Sequence, residues 1–281
     1  MRLKYVTSDW EHEGEVEVYR TMTISDLKMR VARQINRNLI GIPATRIILT
    51  INHELYKDHE LLKNCNIKSD DEIRVIIKPV GKQLEFKKMG SIKGIEEGAL
   101  FWDRAHLAAC KVHTPTQPGI SGDSLQGANS VVLSGGYEYD CDFRNVIFYT
   151  GSGGRTSGEQ TENQTLTRGN KALAMNCKAP YKICGRIISS DYRKGVPIRV
   201  VRQVKLPHTK PNKSVNLYSY DGIYRVYGYW PFWGTFITPA FEIRRFILWH
   251  FCLVKDGVDQ NEIDYHIRWY DTQFVICMHG R

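Results

Sequence analysis

Two short runs near the start, Leu3-Lys4-Tyr5-Val6 and Val16-Glu17-Val18-Tyr19, alternate apolar with polar residues as the strands of a hairpin do. From Thr23-Ile24-Ser25-Asp26-Leu27 the period changes. Leu27, Val31 and Ile35 recur at helical spacing, which predicts a helix capped by Thr23 or Ser25 and stopped at Gly41-Ile42-Pro43. A β-branched strand follows from Arg46 to Ile51, then a short turn over Leu61 to Ile67, then a strand over Ile73 to Ile77. Periodicity fades after that, and the stretch after Pro79 reads as a linker.

Beyond it, Phe101 and Trp102 are predicted core residues. Val131-Val132-Leu133 is a buried strand broken by Gly135-Gly136, and Val146 to Thr150 is a second strand ending in the turn Gly151-Ser152-Gly153-Gly154. Tyr220, Tyr224, Tyr227, Tyr229 and Trp230 fall at near-alternate positions, as on the packed face of a strand, and Phe246 to Phe251 is a last strand. The chain thus divides into a domain at 1–78, a linker at 79–89, a domain at 90–256 and a tail at 257–281 without a predicted element.

The 281 residues suit two domains, and a net charge of +9 permits a polyanionic partner without proving one. Seven scattered cysteines without a CxxC pair argue against a zinc site and against a secreted disulfide framework. No apolar run resembles a leader or is long enough to span a membrane, so the expectation is a nuclear or cytosolic protein, with no cofactor and no metal.

The chemistry concentrates in VVLSGGYEYDCDFRNVIFYTGSGGR, Val131 to Arg155. Tyr137 and Tyr149 each stand beside glycines, whose backbone a ligand can approach closely, and Asp140 lies between them. A planar heterocycle held between two rings, its amino group facing a carboxylate, needs these parts. A hairpin with core tyrosines and a solvated Asp fits the pattern as well. Glu138, Asp140 and Asp142, alternating on one side of a strand, also keep open an enzyme that acts on a base or strand.

The same stretch resembles the signature of the SRA (SET and RING associated, or YDG) domain. The resemblance continues in Asn170 to Asn176, in Pro197 to Arg202, in Tyr220-Asp221-Gly222-Ile223-Tyr224 and in Tyr229-Trp230-Pro231, and covers roughly Gly90 to Asp256. It implies a twisted β-barrel with flanking helices, an α+β fold, that reads 5-methyl or 5-hydroxymethyl cytosine in double-stranded DNA by flipping the base out, without catalysis, in the nucleus. On this resemblance Tyr137 and Tyr149 sandwich the base, Asp140 accepts from its N4 amino group, and N–H groups near Ser134, Gly135, Gly136 and Thr150 meet O2 and N3. Gln117, at the tip of the loop HTPTQPGISG, props the gap in the duplex. Arg155, Arg168, Lys171, Arg199 and Arg202 supply phosphate contacts, and Asp221-Gly222 forms a structural tight turn. One departure stands out. The segment after Arg155, Thr156 to Gln164, is shorter than the basic finger of the best-known members and carries two acidic residues, which puts strict CpG or hemimethylated-site selectivity in doubt.

Residues 1–78 follow the strand and helix order of a β-grasp fold, and GIPATRIILTINHELYKDHELLKNCNIKSDDEIRVIIK resembles ubiquitin from its helix end onward. The combination resembles the ubiquitin-like and SRA parts of UHRF-type proteins. It implies a contact face for a ubiquitin-pathway protein at Leu49, Arg74 and Ile76. A protein-interaction adaptor without DNA binding is the remaining alternative.

Overall fold

The computed structural model describes residues 1–7, 13–35, 44–52, 54–69, 71–77, 88–207, 214–238 and 241–274. It separates into two compact units, Met1–Lys87 and Lys88–Arg281. The expected helix stop at Gly41-Ile42-Pro43 and nearly all of the expected linker lie outside the described residues.

The first unit contains β1 (Arg2–Thr7), β2 (Glu13–Glu17), α1 (Ile24–Ile35), β3 (Ile47–Ile51), β4 (Glu54–Leu55) and β5 (Glu72–Ile77). Its sheet runs β2-β1-β5-β3-β4 with β1 and β5 parallel, an arrangement compatible with a β-grasp. Thr23 is the cap of α1: its hydroxyl accepts from the Asp26 N–H at 3.1 Å, and Asp26 Oδ2 accepts in return from the Thr23 N–H at 2.9 Å. Leu27, Val31 and Ile35 bury the helix against Leu3, Ile47, Leu49, Ile51, Ile73 and Val75. This corrects the expected contact face. Leu49 pairs with Val75 and faces the core, whereas Ile76 pairs with Ile48 on the opposite side of the sheet. A strand alternates faces at every residue, so a one-residue offset moves a side chain from surface to core. Arg74 and Ile76 do share the outer face, but both are buried.

The second unit is sheet-rich and α+β. In chain order it holds β6 (Leu100–Phe101), α2 (Arg104–Ala109), β7 (Ile120–Asp123), β8 (Gly127–Leu133), β9 (Cys141–Asp142), β10 (Val146–Thr150), β11 (Arg155–Thr156), β12 (Glu159–Gln160), α3 (Arg168–Ala174), β13 (Ile187–Ile188), β14 (Ile198–Pro207), β15 (Ser214–Ile237), β16 (Ile243–Lys255) and α4 (Gln260–Gln273). The main sheet runs β7-β8-β14-β15-β16-β10-β9, and β11 and β12 form a separate hairpin. Alternation splits β10 between two cores. Ile147 and Tyr149 pack with Leu133, Leu173, Trp249 and Phe251. Val146 and Phe148 pack with Trp230, Cys252, Ile263 and Tyr270.

Ile263 and Tyr270 belong to α4, so the tail without a predicted element contains a helix, which closes the second of these cores. Phe101 is buried as expected, but Trp102, one residue past the end of β6, is 72% exposed. The YDG motif is structural but is no turn. Val201 pairs with Tyr220 and Val200 with Gly222, which leaves Asp221 as the extra residue of a β-bulge inside the long strand β15. Gly222 has φ +102°, and a Cβ there would strike the Glu97 carboxylate, so the position requires glycine.

Candidate nucleic-acid interface

Residues 134–140 leave β8 as an irregular loop. Ser134, Gly135 and Gly136 are exposed, and Gly135 takes φ +68° with open space around it. The Arg155 guanidinium lies 4.0 Å from the centroid of the half-buried Tyr137 ring and donates to the Gly136 carbonyl at 2.6 Å. Arg155 therefore ties the β11–β12 hairpin to this loop. Asp140 closes the loop by accepting the Thr150 N–H at 2.8 Å. That N–H is thus taken by Asp140, a correction to its expected place among the donors to the base. Burial pushes the Asp140 carboxyl up to about 6 against the lowering effect of its bonds to Thr150. Tyr149 reaches the same region from β10. It is 3% exposed, with its hydroxyl against Gly119, where a Cβ would sit 2.6 Å from the oxygen. Burial holds its phenol well above the usual range, and the nearby Asp140 charge adds to this.

The loop that carries Gln117 is held from below. His113 is fully buried, with Nδ1 2.9 Å from Ser130 Oγ and Nε2 2.9 Å from the Pro118 carbonyl. Arg104 donates to the carbonyls of Pro115, at 3.1 Å, and Pro118. With its backbone carbonyls fixed this way, the loop leaves Gln117 exposed. The glycine turn after β10 is fastened by α3. The Asn170 amide accepts from the Ser152 N–H at 2.8 Å and donates to the Ser152 carbonyl at 2.9 Å. Gln164 donates to the Gly151 carbonyl at 2.6 Å and accepts from the Trp249 N–H at 3.0 Å. A Cβ at Gly151 would meet both amides.

Behind Asp140 lies a chain of hydrogen bonds that the sequence did not reveal. His250 on β16 is fully buried and stacks on Phe232 at 3.9 Å. Burial pushes it down to about 3, so it is neutral at physiological pH. Its Nε2 lies 2.9 Å from the Tyr139 carbonyl and 3.3 Å from the Thr150 hydroxyl. A carbonyl only accepts, so Nε2 carries the proton and Nδ1 accepts from the Tyr270 hydroxyl at 2.7 Å. The C-terminal helix is thereby linked to the residues flanking Asp140. The only sequence signal was a histidine inside the apolar run Phe246 to Phe251.

The expected phosphate contacts divide. Arg168 is exposed at the start of α3, with φ +47°, and Lys171 lies 5.1 Å from the Tyr181 ring. Arg199 is 2% exposed and donates to the carbonyls of Val112, Lys88 and Gly90. Arg202 binds both Asp142 oxygens, at 2.7 and 2.8 Å, and pairs with Asp221 of the bulge. These two arginines are structural, which corrects their expected role. The same pairing removes the idea of a carboxylate trio, since Asp142 turns away to Arg202 while Asp140 faces Thr150. Among the described residues no group of three or more His, Cys, Asp or Glu is placed to hold a metal ion.

Against known proteins, the chain is 40% identical over 176 residues to the E3 ubiquitin-protein ligase UHRF1 of Bos taurus, covering 60% of this chain and 21% of that protein. It is 32% identical over 256 residues to the histone-lysine N-methyltransferase family member SUVH2 of Arabidopsis thaliana, covering 86% of this chain and 36% of that one. The chain spans about a fifth to a third of the length of these relatives. Among solved structures, the SUVH5 SRA domain bound to fully hydroxymethylated CG DNA is 28% identical, with a TM-score of 0.42 over 61% of this chain and 95% of that one. The SAD/SRA domain family matches residues 88–248. That match takes in more than half of the chain, and the protein is a member of the SAD/SRA domain family.

Proposed function

We propose that the second unit is a non-catalytic reader of modified cytosine in double-stranded DNA, taking the flipped base between Tyr137 and Tyr149 with Asp140 at its amino edge. The observation that carries this reading is the state of Asp140. It is a largely buried carboxylate with one oxygen fixed by the Thr150 N–H, and its charge acts on both Tyr137 and Tyr149. Cytosine offers an N4 donor to such an acceptor, whereas thymine would bring its O4 against the charge. Two ring contacts at roughly 1–3 kcal/mol each, with hydrogen bonds, offset the few kcal/mol that flipping costs. Burying a methyl group adds only about 1 kcal/mol, so preference for the modified base also rests on the fit of the closed pocket. The exposed Gln117 is suited to fill the gap and bond the orphaned guanine, while Arg168 and Lys171 hold the backbone.

This reading implies a nuclear protein. UHRF1 is named as a ubiquitin-protein ligase. A ubiquitin-like first unit that connects bound DNA to a ubiquitin-pathway partner fits that relationship, through residues other than the core Leu49. The deciding experiment is a titration at one salt concentration on matched duplexes with unmodified, 5-methyl or 5-hydroxymethyl cytosine. A clear preference for one modified base, lost in Asp140→Ala, is expected. Equal binding to all three would reduce the protein to an electrostatic DNA binder.

A further inference from the structure

The hairpin of β15 and β16 runs well past the rest of the sheet. β14 pairs with β15 only up to Tyr224, and β10 pairs with β16 only from His250 onward. From Pro231 to Ile237 and from Ile243 to Trp249 the two strands pair only with each other. Where the two strands meet, the Phe241 N–H donates to the Thr238 carbonyl at 2.8 Å, and the Thr238 N–H to the Glu242 carbonyl at 2.9 Å. Phe241 takes φ +59° there and is 88% exposed. The left-handed region suits glycine or asparagine, and water suits a polar residue, so this position carries a bulky aromatic against both preferences. Ile237 and Ile243, directly paired across the strands, are 71% and 69% exposed beside it. Such a contiguous apolar tip marks a contact surface.

The arm is fixed next to the base pocket. The Tyr139 hydroxyl donates to the Thr235 carbonyl and accepts from the Thr235 N–H, both at 2.6 Å, and Tyr139 immediately precedes Asp140. Its ring also meets Phe236 edge-on at 5.6 Å. Between the tip and the β11–β12 hairpin runs a groove of about 340 Å³ lined by Glu138, Arg155, Gln160, Phe236, Thr238 and Arg244. Arg244 and Arg245 are exposed behind the apolar tip, Arg244 pairing with Glu242 at 2.8 Å.

We propose that this tip is a second arm on the DNA, in which Phe241, with Ile237 and Ile243, wedges against the base steps beside the flipped cytosine while Arg244 and Arg245 face the phosphates. The inference rests on the reader function above. Apolar wedges flanked by cations are what proteins press between base steps when they distort a duplex. The one anchored to the pocket loop stands beside a hairpin, β11–β12, too short and too acidic at its end to reach far along the duplex.

The test is an anisotropy titration of the full chain and of Phe241→Gly, on duplexes with one 5-methylcytosine and without it, at one salt concentration. Glycine suits the tip's backbone, so this variant keeps or raises the thermal unfolding midpoint. It should bind both duplexes about tenfold more weakly, the loss of one stacked contact, with the ratio between them unchanged. A 2-aminopurine at the base step flanking the modified cytosine should brighten with the wild-type chain and stay dim with Phe241→Gly. Wild-type affinity in Phe241→Gly, or no brightening with the wild-type chain, overturns the arm. So does sedimentation that shows wild-type self-association lost in the variant at unchanged DNA affinity. A wild-type chain that binds both duplexes equally refutes the pocket reading instead, and leaves the arm supported if Phe241→Gly still weakens both.

Discussion

A carboxyl that burial pushes up to about 6 holds its proton more tightly in the folded chain than in the unfolded one, where Asp titrates near 3.8. Between about pH 4 and 6 the folded state therefore binds the extra proton, so stability falls as pH rises through that window, and the whole penalty is present above 6. Asp140→Asn keeps an acceptor for the Thr150 N–H but removes the charge. It should raise stability at pH 7 by about 2 kcal/mol, discounted from two pK units at about 1.4 kcal/mol each because the carboxyl keeps some solvent. Urea unfolding of the two proteins checks this, and the same variant should lose the preference for modified cytosine. In the wild-type chain, binding should weaken as pH drops below 6, and a flat profile from pH 5 to 8 would remove the charged carboxylate from recognition. Arg199 and Arg168 make the opposite pair. Arg199→Ala leaves three carbonyls without their donor, at about 1–3 kcal/mol for each left unsatisfied, and should show as lost folding. Arg168→Ala should leave the melting midpoint in place and weaken all duplexes alike. A sequence shows that an arginine is charged but not how deep it lies. That is why Arg199 and Arg202 read as phosphate ligands alongside Arg155 and Arg168.

The β11–β12 hairpin turns on Ser157 and Gly158, both at positive φ, the geometry of a tight two-residue hairpin. With no cation at its tip it has little means to read the opposite strand. Methylated CpG and non-CpG duplexes should therefore bind within about threefold of each other, well under the 1–3 kcal/mol of a lost bidentate base contact. α4 acts from the other side of the sheet. Tyr270→Phe removes the hydroxyl that donates to His250, and should cost about 1–3 kcal/mol by leaving a buried acceptor unpaired, read as a lower thermal midpoint. Strands and α1 were legible because their apolar periods are regular over several residues. The helix at 260–273 was not, because only Ile263 and Tyr270 bury fully, and Tyr265 and Trp269 blur the helical spacing of Ile263, Ile267 and Tyr270. Asp221-Gly222 was read as a turn because turns and bulges ask for the same residues, and only the partner strand distinguishes them. The motif that carries Tyr137, Asp140 and Tyr149 stood out in the sequence, which could not show that Thr150 satisfies Asp140, since that bond depends on how the loop folds back on β10.

Each unit has its own core, so residues 88–281 alone should bind modified DNA with the affinity of the full chain to within about twofold, or about 0.4 kcal/mol. A larger loss on removing residues 1–87 would give the first unit a share in DNA binding. Phosphate neutralisation sets the salt response: the slope of log K against log salt should fall by about 0.9 for each contacting cation removed. Arg168→Ala and Lys171→Ala each test one such contact. The division into two units was visible as the loss of periodicity after Pro79, whereas the burial of Arg74 and Ile76 was not, because nothing local in their strand requires it.

Strand β10, which carries Tyr149 and Thr150, finds its partner in β16, with Thr150 opposite His250, 100 residues later. During synthesis at about 5–20 residues per second, β10 therefore emerges roughly 5–20 seconds before the strand that completes it. Until then that edge is open, Trp249 and Phe251 are missing from beside Ile147 and Tyr149, and α4, which packs on Val146 and Phe148, arrives later still. The proposed pocket is accordingly completed late in synthesis. Nascent chains halted before β16 should be the species that aggregate or engage chaperones, even though most of the domain has already been made.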